Sequence, residues 1–198
     1  MLMLRQAKVA RKTAETDISV ELNLDGQGEA RVSTGIGFFD HLLSALAKHA
    51  AFDFKLEAQG DLHIDGHHTV EDVGIVLGKA LAEALGDCRG IRRFGHAYCP
   101  MDEALARAVV DISGRPFLHF ACALSWQKIG EFEGELLEEF LRSLAVNARI
   151  TLHVELLYGR NQHHAAEAMI KATARALRQA VSLDDRLHDV PSTKGVLA

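Results

Sequence analysis

The chain carries one structural plan twice, and that duplication limits what it can fold into. The pattern His-His-x-x-Glu occurs at His67-His68-x-x-Glu71 and again 96 residues later at His163-His164-x-x-Glu167. Upstream, Asp40–Ala47 lines up with Glu138–Ala145 at an offset of 98 residues. Segments that repeat in the same order at nearly the same spacing imply two similar supersecondary units. Units of this size bury their apolar faces against each other in one shared core.

Hydrophobic periodicity supplies the elements of each unit. In the first, Gln6–Thr13 and Asp17–Leu24 alternate as strands do, with a turn at Asp25-Gly26, and Ala30–Ser33 reads as a short third strand. Gly35-Ile36-Gly37 interrupts the chain before Phe38–Ala50, where Phe39, Leu42, Leu43 and Leu46 recur at helical spacing. Phe52–Gln59 alternates again. Thr69–Leu85 reads as a helix that stops at Gly86. The second unit repeats the order: strands at Arg93–Pro100, Ala106–Ile112 and Phe117–Leu124, a connection over Trp126–Glu133, a helix over Gly134–Ala148, a strand over Ile150–Tyr158 and a helix over His163–Val181. The expected fold is α+β, with duplicated β-β-β-α-β-α halves whose helices pack between two four-stranded sheets. Residues 1–90 form the first half-repeat and 91–198 the second with its C-terminal tail, as one compact unit joined at Gly86–Gly90.

Composition narrows the function. With 48% hydrophobic and 25% charged residues, the 198-residue chain has the balance of a soluble globular protein. A net charge of −5 without a basic run argues against nucleic acid as a partner. No stretch approaches the roughly 18 apolar residues of a membrane span, and MLMLRQAKVARKT lacks the apolar core of a leader, so the cytoplasm is the expected compartment. Cys88, Cys99 and Cys122 lack metal-binding or disulfide-framework spacing, and Cys99 and Cys122 read as small buried hydrophobes. Histidine stands out, at 11 residues including two adjacent pairs.

On a helix, His67 and Glu71 are four apart and His68 and Glu71 three apart, so each histidine shares a face with the glutamate. Adjacent histidines point about 100° apart, which suits binding to two different ions better than to one. The second motif repeats this geometry. Six ligands then call for two more, and the aligned helices nominate His41 and Glu139. Five histidines and three glutamates across two ions, with open positions and no thiolate, favour Mn²⁺ over Zn²⁺ or Fe²⁺. His153 lies in a strand, which suits a structural role or support of a ligand from behind, and it is the alternative ligand. Arg93 in Arg92-Arg93-Phe94-Gly95, Arg115 in Ser113-Gly114-Arg115-Pro116, and Ser192-Thr193-Lys194 offer phosphate grips.

These segments together resemble the imidazoleglycerol-phosphate dehydratase family of histidine biosynthesis. The resemblance rests on Gly35–His41, Gly60–Asp72, Asp111–Pro116, Thr151-Leu152-His153, His163–Glu167 and Pro191–Leu197, and runs from about Arg11 to Leu197. It implies a lyase that removes water from D-erythro-imidazoleglycerol phosphate to give imidazole acetol phosphate. The reaction takes a carbon-bound proton near the imidazole ring and expels a hydroxyl. Two Mn²⁺ ions between subunits would bind the ring and stabilise an imidazolate. The resemblance also implies trimers assembled into a twenty-four-subunit shell. It assigns acid/base catalysis to Glu15, in Lys12-Thr13-Ala14-Glu15-Thr16, with Glu71 and Glu167 as proton relays. Substrate contacts fall to Glu15, His41, Arg93, Arg115, Ser192, Thr193 and Lys194. Glu139 stands where the family often has histidine, which leaves His153 as the other candidate there. A dinuclear metal phosphoester hydrolase shares the His/Glu cluster and is the alternative; a non-catalytic nucleic-acid module or metal-organised shell fits less well.

Overall fold

The computed structural model describes residues 5–197. Met1–Leu4, which open the segment read above as lacking a leader, and Ala198 lie outside the described residues. The first half contains β1 (Gln6–Lys12), β2 (Thr16–Asn23), β3 (Ala30–Ser33), α1 (Gly37–Ala50), β4 (Asp53–Gly60) and α2 (His67–Leu85). The second contains β5 (Phe94–Met101), β6 (Ala104–Asp111), β7 (Phe117–Ala121), a two-stranded ribbon of β8 (Lys128–Ile129) and β9 (Phe132–Glu133), then α3 (Leu136–Ala148), β10 (Thr151–Tyr158) and α4 (Gln162–Val181). The sheets have orders β1-β2-β4-β3 and β5-β6-β10-β7. In both, the short third strand pairs in parallel with the strand that follows the first helix, and the other pairs are antiparallel. The duplication read from the sequence is therefore present strand for strand.

The halves interlock through their helices. α2 of the first half packs on α3 of the second, and α4 of the second packs on α1 of the first. The α2–α3 seam depends on two glycines one turn apart. A Cβ at Gly74 would lie 2.7 Å from the Phe140 carbonyl oxygen, and one at Gly78 would lie 2.7 Å from the Leu144 carbonyl oxygen. Only a missing side chain lets these backbones approach so closely. Gly95 does the same where β5 crosses α4, since a Cβ there would fall 2.0 Å from the Ala176 carbonyl oxygen. Phe39 of α1 stacks on Phe132 at 5.7 Å and meets Phe140 of α3 edge-on at 5.3 Å, so one aromatic cluster spans both halves. Each large side chain buried there contributes about 1.5–3 kcal/mol relative to exposure.

The outward faces of the two sheets differ. The first presents Lys8, Glu21, Lys55 and Glu57, tied by ion pairs such as Lys8–Glu21 at 2.5 Å and Lys55–Glu57 at 2.8 Å. The second leaves Phe94, Tyr98, Val109 and Phe117 exposed. His153 points to this face: it alternates with buried Leu152 and Val154, and its ring lies 5.2 Å from that of His119.

Element ends depart from the sequence expectation in ways that matter for the site. α2 begins at His67, not Thr69, because Asp65 Oδ1 accepts the His67 N–H at 2.8 Å. α4 begins at Gln162, and the Asn161 side chain accepts the N–H groups of His163 and His164. Both histidine pairs therefore sit in the first helical turn, where their spacing argument applies. The third strand of the second half ends at Ala121 rather than Leu124, and the expected connection over Trp126–Glu133 contains the β8–β9 ribbon. No described helix is long and apolar enough to cross a membrane. Cys99 is buried, Cys122 partly so, and neither forms a disulfide.

Candidate metal centre

The second motif is closed by a residue from the first half. Glu167, 6% exposed, receives three groups. Its Oε1 lies 3.0 Å from His41 Nε2 and 2.9 Å from His163 Nε2, and its Oε2 lies 2.5 Å from Lys171 Nζ. Burial raises the Glu167 carboxyl, but the hydrogen bonds from Lys171, His41 and His163 outweigh it and hold the group down at about 2. The ring of Phe38 packs 4.7 Å from that of His163 and 6.0 Å from that of His41, which shields one side of the cluster.

The donor set fits a divalent ion. One atom each from His41, His163 and Glu167 lie within 4.8 Å of one another, and this is the one such group of three or more among the described residues. Ligands held about 2.0–2.2 Å from an ion lie roughly 3–4.4 Å apart, and the two imidazoles lie 3.0 and 2.9 Å from Glu167. Imidazole and carboxylate without thiolate is the donor chemistry that manganese accepts.

The first motif is arranged alike but left open. The rings of His67 and His68 are turned 86° from each other, against 87° for His163 and His164, so the members of each pair face different directions. Glu71 is half-buried, and no hydrogen bond to its side chain is present among the described residues. Glu139, the counterpart of His41, lies 3.7 Å from Arg142 Nε on its own helix. His153 projects from the outer face of the second sheet, so within one chain it does not join the helical cluster.

The second histidine of each pair meets carboxylates from elsewhere. His68 Nδ1 lies 3.0 Å from Asp61 Oδ2 and 3.9 Å from Glu15 Oε2. His164 Nδ1 lies 2.8 Å from Glu103 Oε2. Both imidazoles are raised above their usual value, chiefly by these side-chain hydrogen bonds. Glu103 was not singled out from the sequence. It occupies the place of Glu15 in the repeat: each is the residue immediately before the second strand of its half. Their surroundings differ. Glu103 Oε1 accepts the N–H groups of Arg160 at 3.1 Å and Asn161 at 2.7 Å, and with the His164 bond these hold its carboxyl at about 2. The Glu15 carboxylate is exposed and carries no such backbone bonds among the described residues.

The phosphate grips gather at the other end of the second half. Arg93 forms a fork on Asp111, with Nε at 2.7 Å, and donates to the Pro191 carbonyl at 2.9 Å, which ties down the start of the Ser192-Thr193-Lys194 tail. Arg115 Nη2 lies 3.9 Å from Oδ2 of the same Asp111. The Arg93 N–H bonds the Ala180 carbonyl near the end of α4, whereas His163 lies in its first turn. Those 17 residues of helix span about 25 Å at a rise of 1.5 Å each.

Comparison with known proteins shows the family. The family model for imidazoleglycerol-phosphate dehydratase matches residues 34–177. The chain belongs to the imidazoleglycerol-phosphate dehydratase family. A relative of that name from Thermoanaerobacter pseudethanolicus is 59% identical over 194 residues, covering 98% of this chain and all of the relative. The crystal structure of the Staphylococcus aureus dehydratase is similar with a TM-score of 0.82 and 42% identity, over 90% of this chain and 99% of that one. The dehydratase from Pyrococcus furiosus is similar with the same TM-score and 39% identity, over 96% of this chain and all of that one. This family's fold is the interlocked duplication described above.

Proposed function

We propose that the chain dehydrates D-erythro-imidazoleglycerol phosphate to imidazole acetol phosphate in histidine biosynthesis, with two Mn²⁺ ions held by the His-His-x-x-Glu motifs. The observation that carries the metal reading is the cluster of His41, His163 and Glu167 around one point. Family membership carries the reaction. His41, His67, His68, Glu71, Glu139, His163, His164 and Glu167 are the proposed ligands, each pair divided between ions because its rings diverge. Manganese, when bound, supplies Lewis acidity toward the substrate's ring nitrogens.

The residues of the chain have distinct tasks in that reaction. Glu15 is an exposed carboxylate on the hairpin beside His68, and moves protons between the substrate side chain and the departing water. Glu167 is buried, anionic and anchored by Lys171, which suits a ligand better than a proton relay. Glu71 keeps the freedom to do either. Arg93, Arg115, Ser192, Thr193 and Lys194 receive the phosphate, with Arg93 and the tail already joined through Pro191.

The spacing supports assembly of the site from more than one copy. About 25 Å of helix separates the phosphate grips from His163, far more than a three-carbon phosphate side chain reaches. A neighbouring copy would bring its own metal ligands to the grips of this one. The exposed Phe94, Tyr98, Val109 and Phe117 on the second sheet suit burial between copies, in keeping with trimers built into a twenty-four-subunit shell. The test is to assay the purified chain, stripped and Mn²⁺-loaded, with the substrate. Imidazole acetol phosphate from the loaded protein supports the reading. Release of inorganic phosphate instead would assign it to the hydrolases.

A further inference from the structure

The second histidine of each pair has one ring nitrogen already committed. His164 Nδ1 lies 2.8 Å from Glu103 Oε2, and His68 Nδ1 lies 3.0 and 3.2 Å from the two oxygens of Asp61. The anchors come from unrelated places: Glu103 from the β5–β6 hairpin, Asp61 from the segment between β4 and α2. They nevertheless address the same atom of equivalent residues. A carboxylate only accepts, so Nδ1 must carry the proton and donate it. The neutral imidazole then holds its lone pair on Nε2. On His164, Nε2 lies 3.6 Å from the largely exposed Asp102, beyond hydrogen-bond reach.

We propose that Glu103 and Asp61 are paired positioning residues that fix His164 and His68 as Nδ1-protonated tautomers, presenting Nε2 of each to a divalent ion. This rests on the metal reading above and adds the atoms through which two ligands bind. A carboxylate behind a ligating imidazole orients the ring and raises its basicity, and its loss costs 10–100-fold in metal affinity. Glu103 is locked more firmly than Asp61. Its second oxygen takes the Arg160 and Asn161 N–H groups, so the hairpin, the entry to α4 and the ring of His164 are held by one side chain.

The lock makes the test specific. In Glu103→Gln, keeping the two backbone bonds requires the amide oxygen at the Oε1 position. That turns the NH₂ group toward His164 and inverts its tautomer, placing a proton on Nε2. Asp61 has no bond from its side chain to backbone among the described residues, so Asp61→Ala removes the anchor without loosening a loop. The full chain, stripped of metal, is titrated with MnCl₂ while electron paramagnetic resonance counts free Mn²⁺. Ring ¹⁵N shifts of the metal-free protein report the tautomer of His164, assigned by its loss in His164→Asn. The expected result is at least a tenfold weaker Mn²⁺ class in each variant, with the His164 proton moved from Nδ1 to Nε2 in E103Q. Wild-type affinity in D61A and E103Q overturns the proposal. So does an E103Q protein that melts earlier and binds metal less well while His164 keeps its tautomer, because that assigns Glu103 to the loop alone. A wild-type chain that binds no Mn²⁺ overturns the metal reading itself, which the variants do not decide.

Discussion

The two copies of His-His-x-x-Glu share a sequence pattern and a backbone, but only one is assembled within the chain. In the second, Glu167 gathers His41 and His163 and is balanced by Lys171, one turn further along α4. In the first, the residue one turn beyond Glu71 is Ile75, so no cation is supplied there. Glu139, the counterpart of His41, is an anion beside Arg142 rather than an imidazole. A buried carboxylate facing imidazoles and an ammonium is held in place by them, and no hydrogen bond or ion pair to Glu71 is present among the described residues. The comparison teaches that a repeated motif need not be equally complete within one chain: His41 and Lys171 close the second, and the first is left open.

The hairpin carboxylates show the same divergence. Glu103 is pinned by three hydrogen bonds and held at about 2, a poor base fixed in place. Glu15 carries no such bonds among the described residues. Duplication supplied two equivalent carboxylates, one fixed by its surroundings and the other left exposed.

The largest effect that sharpens this comparison is at the hairpins. Glu15→Gln is expected to lower kcat by about 10²–10⁴-fold, the usual worth of a general acid/base, with Mn²⁺ content unchanged. Loss of metal instead would place Glu15 among the ligands. Next, the glycine seam that seats α2 on α3 can be wedged open. Gly78→Leu forces a side chain against the Leu144 carbonyl and should cost about 3 kcal/mol in thermal or denaturant unfolding. An unchanged melting curve would contradict the close approach. Third, Lys171→Met makes the second motif resemble the first. It leaves a buried carboxylate without its ammonium, and should destabilise the metal-free chain by about 2 kcal/mol, with added Mn²⁺ recovering much of that. The smallest effect comes from Ile75→Lys, which supplies the first motif with the missing cation. A gain of about 0.3 kcal/mol in the metal-free protein is expected, and a loss would show that Glu71 is not the neighbour of this position.

The fold was largely legible because its information is periodic. Alternation in β2 buries Ile18, Val20 and Leu22, and the stripe of α2 buries Val73, Val76 and Leu77. The β8–β9 ribbon was not legible, since two-residue strands carry no period. At the site, the His pairs and His41 were readable from spacing and repetition. Lys171 was within reach of the same logic, four residues beyond Glu167, yet a lysine on a helix usually points to water. Asp61 and Glu103 sit in turns, where acidic residues are ordinary. The signal that finds Glu103 is its repeat position, equivalent to Glu15, and that depends on knowing where the strands begin. The separation of the phosphate grips from His163 is a tertiary fact without a local trace.

The central claim is that the two motifs hold two ions on which dehydration depends. It is tested most directly by measuring bound manganese per chain and dehydratase turnover on the same stripped and reloaded samples, for the wild type and for His67→Ala and His163→Ala. The account predicts an inactive stripped protein, activity restored as manganese approaches two per chain, and loss of metal and turnover in both variants. Full turnover after complete stripping, or full manganese occupancy in both variants, would contradict it.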